Sequence, residues 1–292
     1  MCTMLKKNEF KSVTGITTPI IEHIVLDVIV IKEQLFHSLK TSPSDFSVYY
    51  QPIYQINNLI NPSAFEALAR WSNPYNLGPA QFMQIIESDD YLRRKFAMLI
   101  SQQVLAGAQL LLSYSPNLQY VSLNVTFNDL NEPHYVEALK HLILKYPSVH
   151  SRIVIEITET QRVHLTKKFI DNISELHKIG VDVALDDLGA GFSTIDLVQL
   201  SIWQFVKLDK KLVEGIEKSE KKYQNLKLTI EQCLPYQSKL VIEGIENIKQ
   251  HVLINQIENS NLLLQGYYYG KPKSISSTIK DIYNNTYSSC EF

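Results

Sequence analysis

From about residue 47 onward, short apolar runs alternate with longer stretches whose apolar residues recur at helical spacing. The runs Val48 to Ile56, Phe65 to Trp71, Tyr120 to Val125, Ile153 to Thr158, Val181 to Asp186, Phe205 to Asp209, Leu240 to Ile245 and Leu262 to Tyr268 are short. Their β-branched and aromatic content favours strands over helices. Between them, Tyr91 to Ser113 places Phe96, Ile100, Val104, Ala108 and Leu111 on one helical face. Leu165 to Ile179 repeats the pattern with Phe169, Ile173 and Leu176, and Gly180 is placed to end it. Lys211 to Leu234 and Ile248 to Ile257 are two more helix candidates. Ile20 to Leu39 suits either a helix or a strand. Residues 1–40 are therefore set apart as an N-terminal extension without an assigned role, and 41–292 are read as one barrel domain.

Alternation of this kind implies a parallel sheet. A length of roughly 250 residues favours a closed barrel over an open doubly wound sheet. The fold class expected is α/β, a TIM-like (β/α)8 barrel. The polar stretch with Asn57-Asn58 and Asn61-Pro62 reads as a hairpin, which makes the first strand antiparallel. No Gly-x-Gly-x-x-Gly follows that strand, which counts against a dinucleotide fold. Composition changes little: 45% hydrophobic and 20% charged residues are ordinary for a globular chain, and a net charge of -2 gives no reason to expect DNA binding. Cys2, Cys233 and Cys290 lack CxxC spacing, so neither a disulfide framework nor a zinc site is expected. The apolar run Ile24 to Ile31 is too short for a membrane span, is interrupted by Asp27, and starts too far in for a signal peptide. A cytoplasmic protein is the expectation.

Candidate chemistry sits at the strand ends, where a barrel of parallel strands places its active site. Strand five delivers Asp186 and Asp187 into Leu188-Gly189-Ala190-Gly191. Two adjacent carboxylates repel unless a cation lies beside them. Other strands deliver Glu66, Asn124, Glu156 with Glu159, Lys207 with Asp209, Glu243 with Glu246, and Gln265. This set is all carboxylate and amide oxygen, which suits Mg²⁺ or Mn²⁺; zinc or copper would call for histidine or thiolate. Two such ions activate water and stabilise charge on a phosphate. Lys207 is a candidate for holding the water or neutralising developing charge.

These residues, in this order, resemble the EAL-domain family of cyclic di-GMP phosphodiesterases. The name motif stands as Glu66-Ala67-Leu68 within Phe65 to Trp71, and the resemblance spans about residues 45 to 275. It implies a TIM-like barrel with one antiparallel strand and hydrolysis of cyclic di-GMP to the linear dinucleotide pGpG. It implies two Mg²⁺ or Mn²⁺ ions, with Ca²⁺ as a candidate inhibitor, held by Glu66, Asn124, Glu156, Asp186, Asp187 and Glu243. Glu243 and Lys207 look like the pair that handles the attacking water, with the formal base left open, and Glu66 completes the catalytic set. Gln51, Leu68, Arg70, Asp209 and Glu246 look like dinucleotide contacts. Gln265 and Glu159 look like supports, Glu159 by pinning the loop after Asp187. A homodimer is common among such proteins.

The chain departs from the family pattern in that loop, where Asp-Asp-Phe-Gly-Thr-Gly-Tyr-Ser becomes Asp186-Asp187-Leu188-Gly189-Ala190-Gly191-Phe192-Ser193. These changes support the alternative of a catalytically inactive cyclic di-GMP receptor or protein-binding barrel. Taken singly, each candidate has a plain structural reading as a cap, a turn residue, a rim lysine or a surface ion pair. Their convergence on one barrel face favours the enzyme. Tyr267-Tyr268-Tyr269 reads as strand packing.

Overall fold

The computed structural model describes residues 18–158, 166–190, 195–200, 202–236, 238–257, 259 and 261–288. Its strands are β1 (Phe46–Gln55), β2 (Ala64–Trp71), β3 (Tyr120–Thr126), β4 (Ile153–Thr158), β5 (Asp182–Leu188), β6 (Phe205–Leu208), β7 (Lys239–Ile242) and β8 (Leu262–Gln265). Parallel ladders join β2 through β8 in sequence order. β1 lies antiparallel between β8 and β2 and closes the barrel. The expected TIM-like architecture with one antiparallel strand is therefore what forms. The hairpin also forms where expected: Asn58 pairs with Gln55 and accepts from the Ile60 N–H.

Strand seven ends at Ile242 rather than at the expected Ile245, and two further elements differ from expectation. Strand eight ends at Gln265, so Tyr267, Tyr268 and Tyr269 all lie beyond it, with Tyr267 and Tyr268 exposed, and the strand-packing role expected of these tyrosines is corrected. Gly266 lets the chain pass against Ile245 there, since a Cβ would lie 2.0 Å from the Ile245 carbonyl oxygen. The single helix expected over Lys211 to Leu234 is divided into Lys210–Val213, a turn at Ile216–Lys218, and Glu220–Cys233. Gly215, at φ +80°, takes the chain out of helical space, and the Ser219 hydroxyl caps the second helix by accepting from the Lys222 N–H.

The helix Thr18–Thr41 carries the N-terminal extension into the barrel domain. Leu35 is buried in the core, and the Ser38 hydroxyl donates to Asp45 (2.7 Å) while accepting from the Trp71 indole (3.3 Å). The helix Asp90–Tyr114 is, among the described residues, the one long and apolar enough to cross a membrane. Here its row of Phe96, Ile100, Val104, Ala108 and Leu111 is buried in the core around the barrel.

Inside the barrel the side chains form layers. Successive residues of a strand face opposite sides, and Ile53, Ala64, Tyr120, Val154, Ala184, Phe205, Val241 and Leu263 form an apolar plug, one from each strand. Following the ladders from Gln51 to Glu66, Ser122, Val154 and Asp182, each partner lies roughly one residue lower on the barrel axis, the stagger of this fold. Residues at one height therefore come from alternate strands. Two positions beyond the plug residues Ala64, Val154, Phe205 and Leu263 stand Glu66, Glu156, Lys207 and Gln265. One step above them, on the other four strands, stand Gln51, Asn124, Asp186 and Glu243. The barrel interior thus changes from apolar to polar within one layer, at the C-terminal end of its parallel strands.

Candidate active site

Lys207 is the hub of these polar layers. Its ammonium lies 2.6 Å from Glu243 Oε1, 2.8 Å from Glu156 Oε2, 3.1 Å from Asp186 Oδ1 and 3.5 Å from Glu66 Oε2. The side chain is buried, so the reading of Lys207 as a rim lysine does not hold. Burial works against the ammonium, but the four carboxylates, Asp186 first, outweigh it and hold Lys207 well above the usual lysine range. Glu66 is fixed from two further sides: Gln265 Nε2 donates to Oε2 (2.5 Å), and Asn124 Nδ2 donates to Oε1 (3.4 Å).

Acceptors exceed donors in this cluster. Four carboxylates (Glu66, Glu156, Asp186 and Glu243) share one ammonium, and Asp187 adds a fifth beside Asp186 and Glu243. Burial raises Glu156 well above the carboxylate range and raises Asp186, although Lys207 opposes both. Burial also pushes Glu243 up to about 8 against the pull of Lys207. Asp187 is pushed up to about 6, by burial and then by Asp186 and Asp209. It stands at φ +55°, a left-handed conformation that a non-glycine residue adopts at a cost. The Gln265 Oε1 acceptor is buried with no donor. One oxygen from each of Asp186, Asp187 and Glu243 lies within 4.8 Å of the others, a spacing that a hard divalent cation fits. The donor chemistry, the excess negative charge and the orphaned acceptor all agree with such an ion.

An open cavity of about 300 Å³ stands above the cluster. Gln51, Leu68 and Glu246 line it, together with Glu66, Asp186, Asp187, Lys207, Glu243 and Gln265. Glu156 lies in the lower polar layer and Asn124 in the upper one, both outside the cavity lining. Arg70 and Asp209 are outside its lining: the Arg70 guanidinium lies over the Tyr49 ring at 5.2 Å, and Asp209 caps the helix Lys210–Val213 through the Lys211 N–H. Glu159 lies outside the described residues, as do Gly191, Phe192 and Ser193. Sequence reading missed Lys210, Gly244, Gly266 and Tyr267 in the lining. Gly244 had a signal, an interrupted apolar run between two glutamates. It sits at φ +70°, and a Cβ there would meet Lys210 Cβ at 2.2 Å.

Comparison with known proteins agrees with this geometry. The EAL domain family model matches residues 32–272, and the chain belongs to that family. It is 28% identical over 233 residues to the cyclic di-GMP phosphodiesterase RocR of Pseudomonas aeruginosa, covering 78% of this chain and 57% of that protein. It is 28% identical over 242 residues to the cyclic di-GMP phosphodiesterase PdeB of Shewanella oneidensis, covering 80% of this chain and 27% of that protein. The chain thus spans little more than half, or less, of these relatives. Among solved structures, the EAL enzyme Bd1971 in its cAMP-bound form superposes with a TM-score of 0.79 at 22% identity, over 90% of this chain and 73% of that one. The PaMucR phosphodiesterase in complex with c-di-GMP superposes with a TM-score of 0.72 at 20% identity, over 84% of this chain and 99% of that one.

Proposed function

We propose that this chain hydrolyses one phosphodiester bond of cyclic di-GMP to give pGpG, using two Mg²⁺ or Mn²⁺ ions. The observation that carries the reading is the pair of polar layers under an open cavity, with four carboxylates around one buried lysine and Asp187 beside them. Relatives named as cyclic di-GMP phosphodiesterases match over most of the chain, which supports the substrate.

Glu66, Asn124, Glu156, Asp186, Asp187 and Glu243 would hold the ions. When bound, these would supply positive charge at the phosphate and lower the pKa of water. Glu243 and Lys207, in contact at 2.6 Å, are the pair placed to orient the attacking water and take its proton. The water oxygen joins phosphorus, the bond to one ribose oxygen breaks, and that oxygen leaves with a proton. Gln51, Leu68 and Glu246 line the approach, with Arg70 and Asp209 proposed as further contacts to the dinucleotide. Gln265 holds Glu66 in place through its 2.5 Å hydrogen bond.

The test is turnover of cyclic di-GMP by purified protein with Mg²⁺, Mn²⁺, Ca²⁺ or EDTA, the linear product being resolved by chromatography. Product formed with Mg²⁺ or Mn²⁺ and lost with EDTA supports the enzyme. Saturable nucleotide binding with no product under any metal would make the chain a receptor, and would turn attention to Leu188 and Ala190.

A further inference from the structure

We propose that Ser122 is a positioning residue that holds Glu156 from beneath when the site is loaded with a divalent cation. This rests on the reading of the cluster as a metal centre. Ser122 is on β3, between β2 with Glu66 and β4 with Glu156. By strand alternation it faces the barrel interior, between the plug residue Tyr120 and Asn124, whose amide reaches Glu66. Its level also holds Ile53, Ala184 and Val241, and the carboxylate layer lies directly above. The hydroxyl is the one polar side chain at that level, is fully buried, and has no hydrogen-bond partner.

A buried hydroxyl without a partner is a cost that alanine would avoid at almost the same volume. Its placement is explained if a partner arrives in the working state. Glu66 is already served by three donors, namely Gln265, Asn124 and Lys207. Glu156 has Lys207 as its one donor among the described residues. A cation beside Asp186, Asp187 and Glu243 competes with Lys207 for its carboxylates, by like-charge repulsion. Glu156 then needs a second donor to fix its rotamer. Ser122 is a neutral donor on the adjacent strand, one layer below.

The experiment is Mn²⁺ titration of nucleotide-free protein, followed by the loss of free-Mn²⁺ EPR signal, with melting of the metal-free protein in parallel. Wild type, Ser122→Ala and Ser122→Thr are compared. The expected result is a roughly tenfold weaker Mn²⁺ affinity for Ser122→Ala, the scale seen for residues that orient metal ligands. Its metal-free melting temperature should be equal or higher, and Ser122→Thr should recover most of the affinity. Equal Mn²⁺ affinity in wild type and Ser122→Ala would overturn the role of Ser122 while leaving the metal centre standing. So would a lower metal-free melting temperature with unchanged affinity, since the hydroxyl would then be structural. Absence of Mn²⁺ binding by wild type would overturn the metal-centre reading and this inference with it.

Discussion

At the scale of single residues, Lys207 decides the electrostatics of the site. Among the described residues it is the only cation in contact with the four carboxylates Glu66, Glu156, Asp186 and Glu243. Lys207→Met should destabilise the metal-free protein by about 3–5 kcal/mol, the scale of an uncompensated buried charge. Urea unfolding at pH 7.5 with EDTA measures this, and Mn²⁺ should restore part of the loss. Glu66→Ala should reduce turnover at least about a thousandfold while leaving the fold intact, because Glu66 is shared by Lys207, Gln265 and Asn124 but contributes little apolar packing. Normal turnover by that variant would sink the proposed mechanism. The pH dependence has a definite sign. Glu243 and Asp187 titrate near 8 and 6 in the folded, metal-free protein, above their ordinary 4.5 and 3.8. The folded state therefore binds more protons than the unfolded chain across that window. The stability they contribute is fully present below about pH 4 and is lost as pH rises through 6 and then 8. Urea midpoints of EDTA-treated protein should fall from pH 5 to pH 8.5.

At the scale of elements, the loops after β7 and β8 aim the site. Gly244 and Gly266 allow Glu243-Gly244-Ile245 and Gln265-Gly266-Tyr267 to pass close to each other and to Lys210. A side chain at Gly266 meets backbone atoms of Ile245 at 2.0 to 2.6 Å, which cannot be relieved by a rotamer change. Gly266→Ala should therefore cost more than about 2 kcal/mol and displace Gln265, weakening Mn²⁺ binding as well as stability. Urea unfolding and metal titration of that variant check both parts. A contrast is available away from the site: Asp129, buried against Arg93 and capped by Thr126, joins the helix Asp90–Tyr114 to the segment after β3. Its loss should lower stability without changing metal affinity.

At the scale of the whole molecule, the barrel brings carboxylates from β2, β4, β5 and the end of β7 into one polar region that the unfolded chain cannot assemble. A cation bound there binds only the folded state. Mn²⁺ at about a hundred times its dissociation constant should raise stability by about 2.7 kcal/mol, reversibly with EDTA. A melting temperature indifferent to Mn²⁺ and Mg²⁺ would count against the metal centre.

Sequence alone was enough for the eight strands, the barrel class and the antiparallel hairpin, because run length, side-chain type, strand–helix alternation and turn residues are all read along the chain. The polar residues toward the strand ends marked the site as well: Glu66, Asn124, Glu156, Asp186, Lys207, Glu243 and Gln265 stand in its two polar layers, and Gln51, which only the family resemblance pointed to, completes them. Only the tertiary structure showed Lys207 as the buried centre of four carboxylates. It also decided which candidates line the cavity, and placed Ser122 beneath the cluster. Those outcomes depend on strand stagger, which is set by how the ladders close around the barrel. No single strand records which residue of a neighbour lies at its own height.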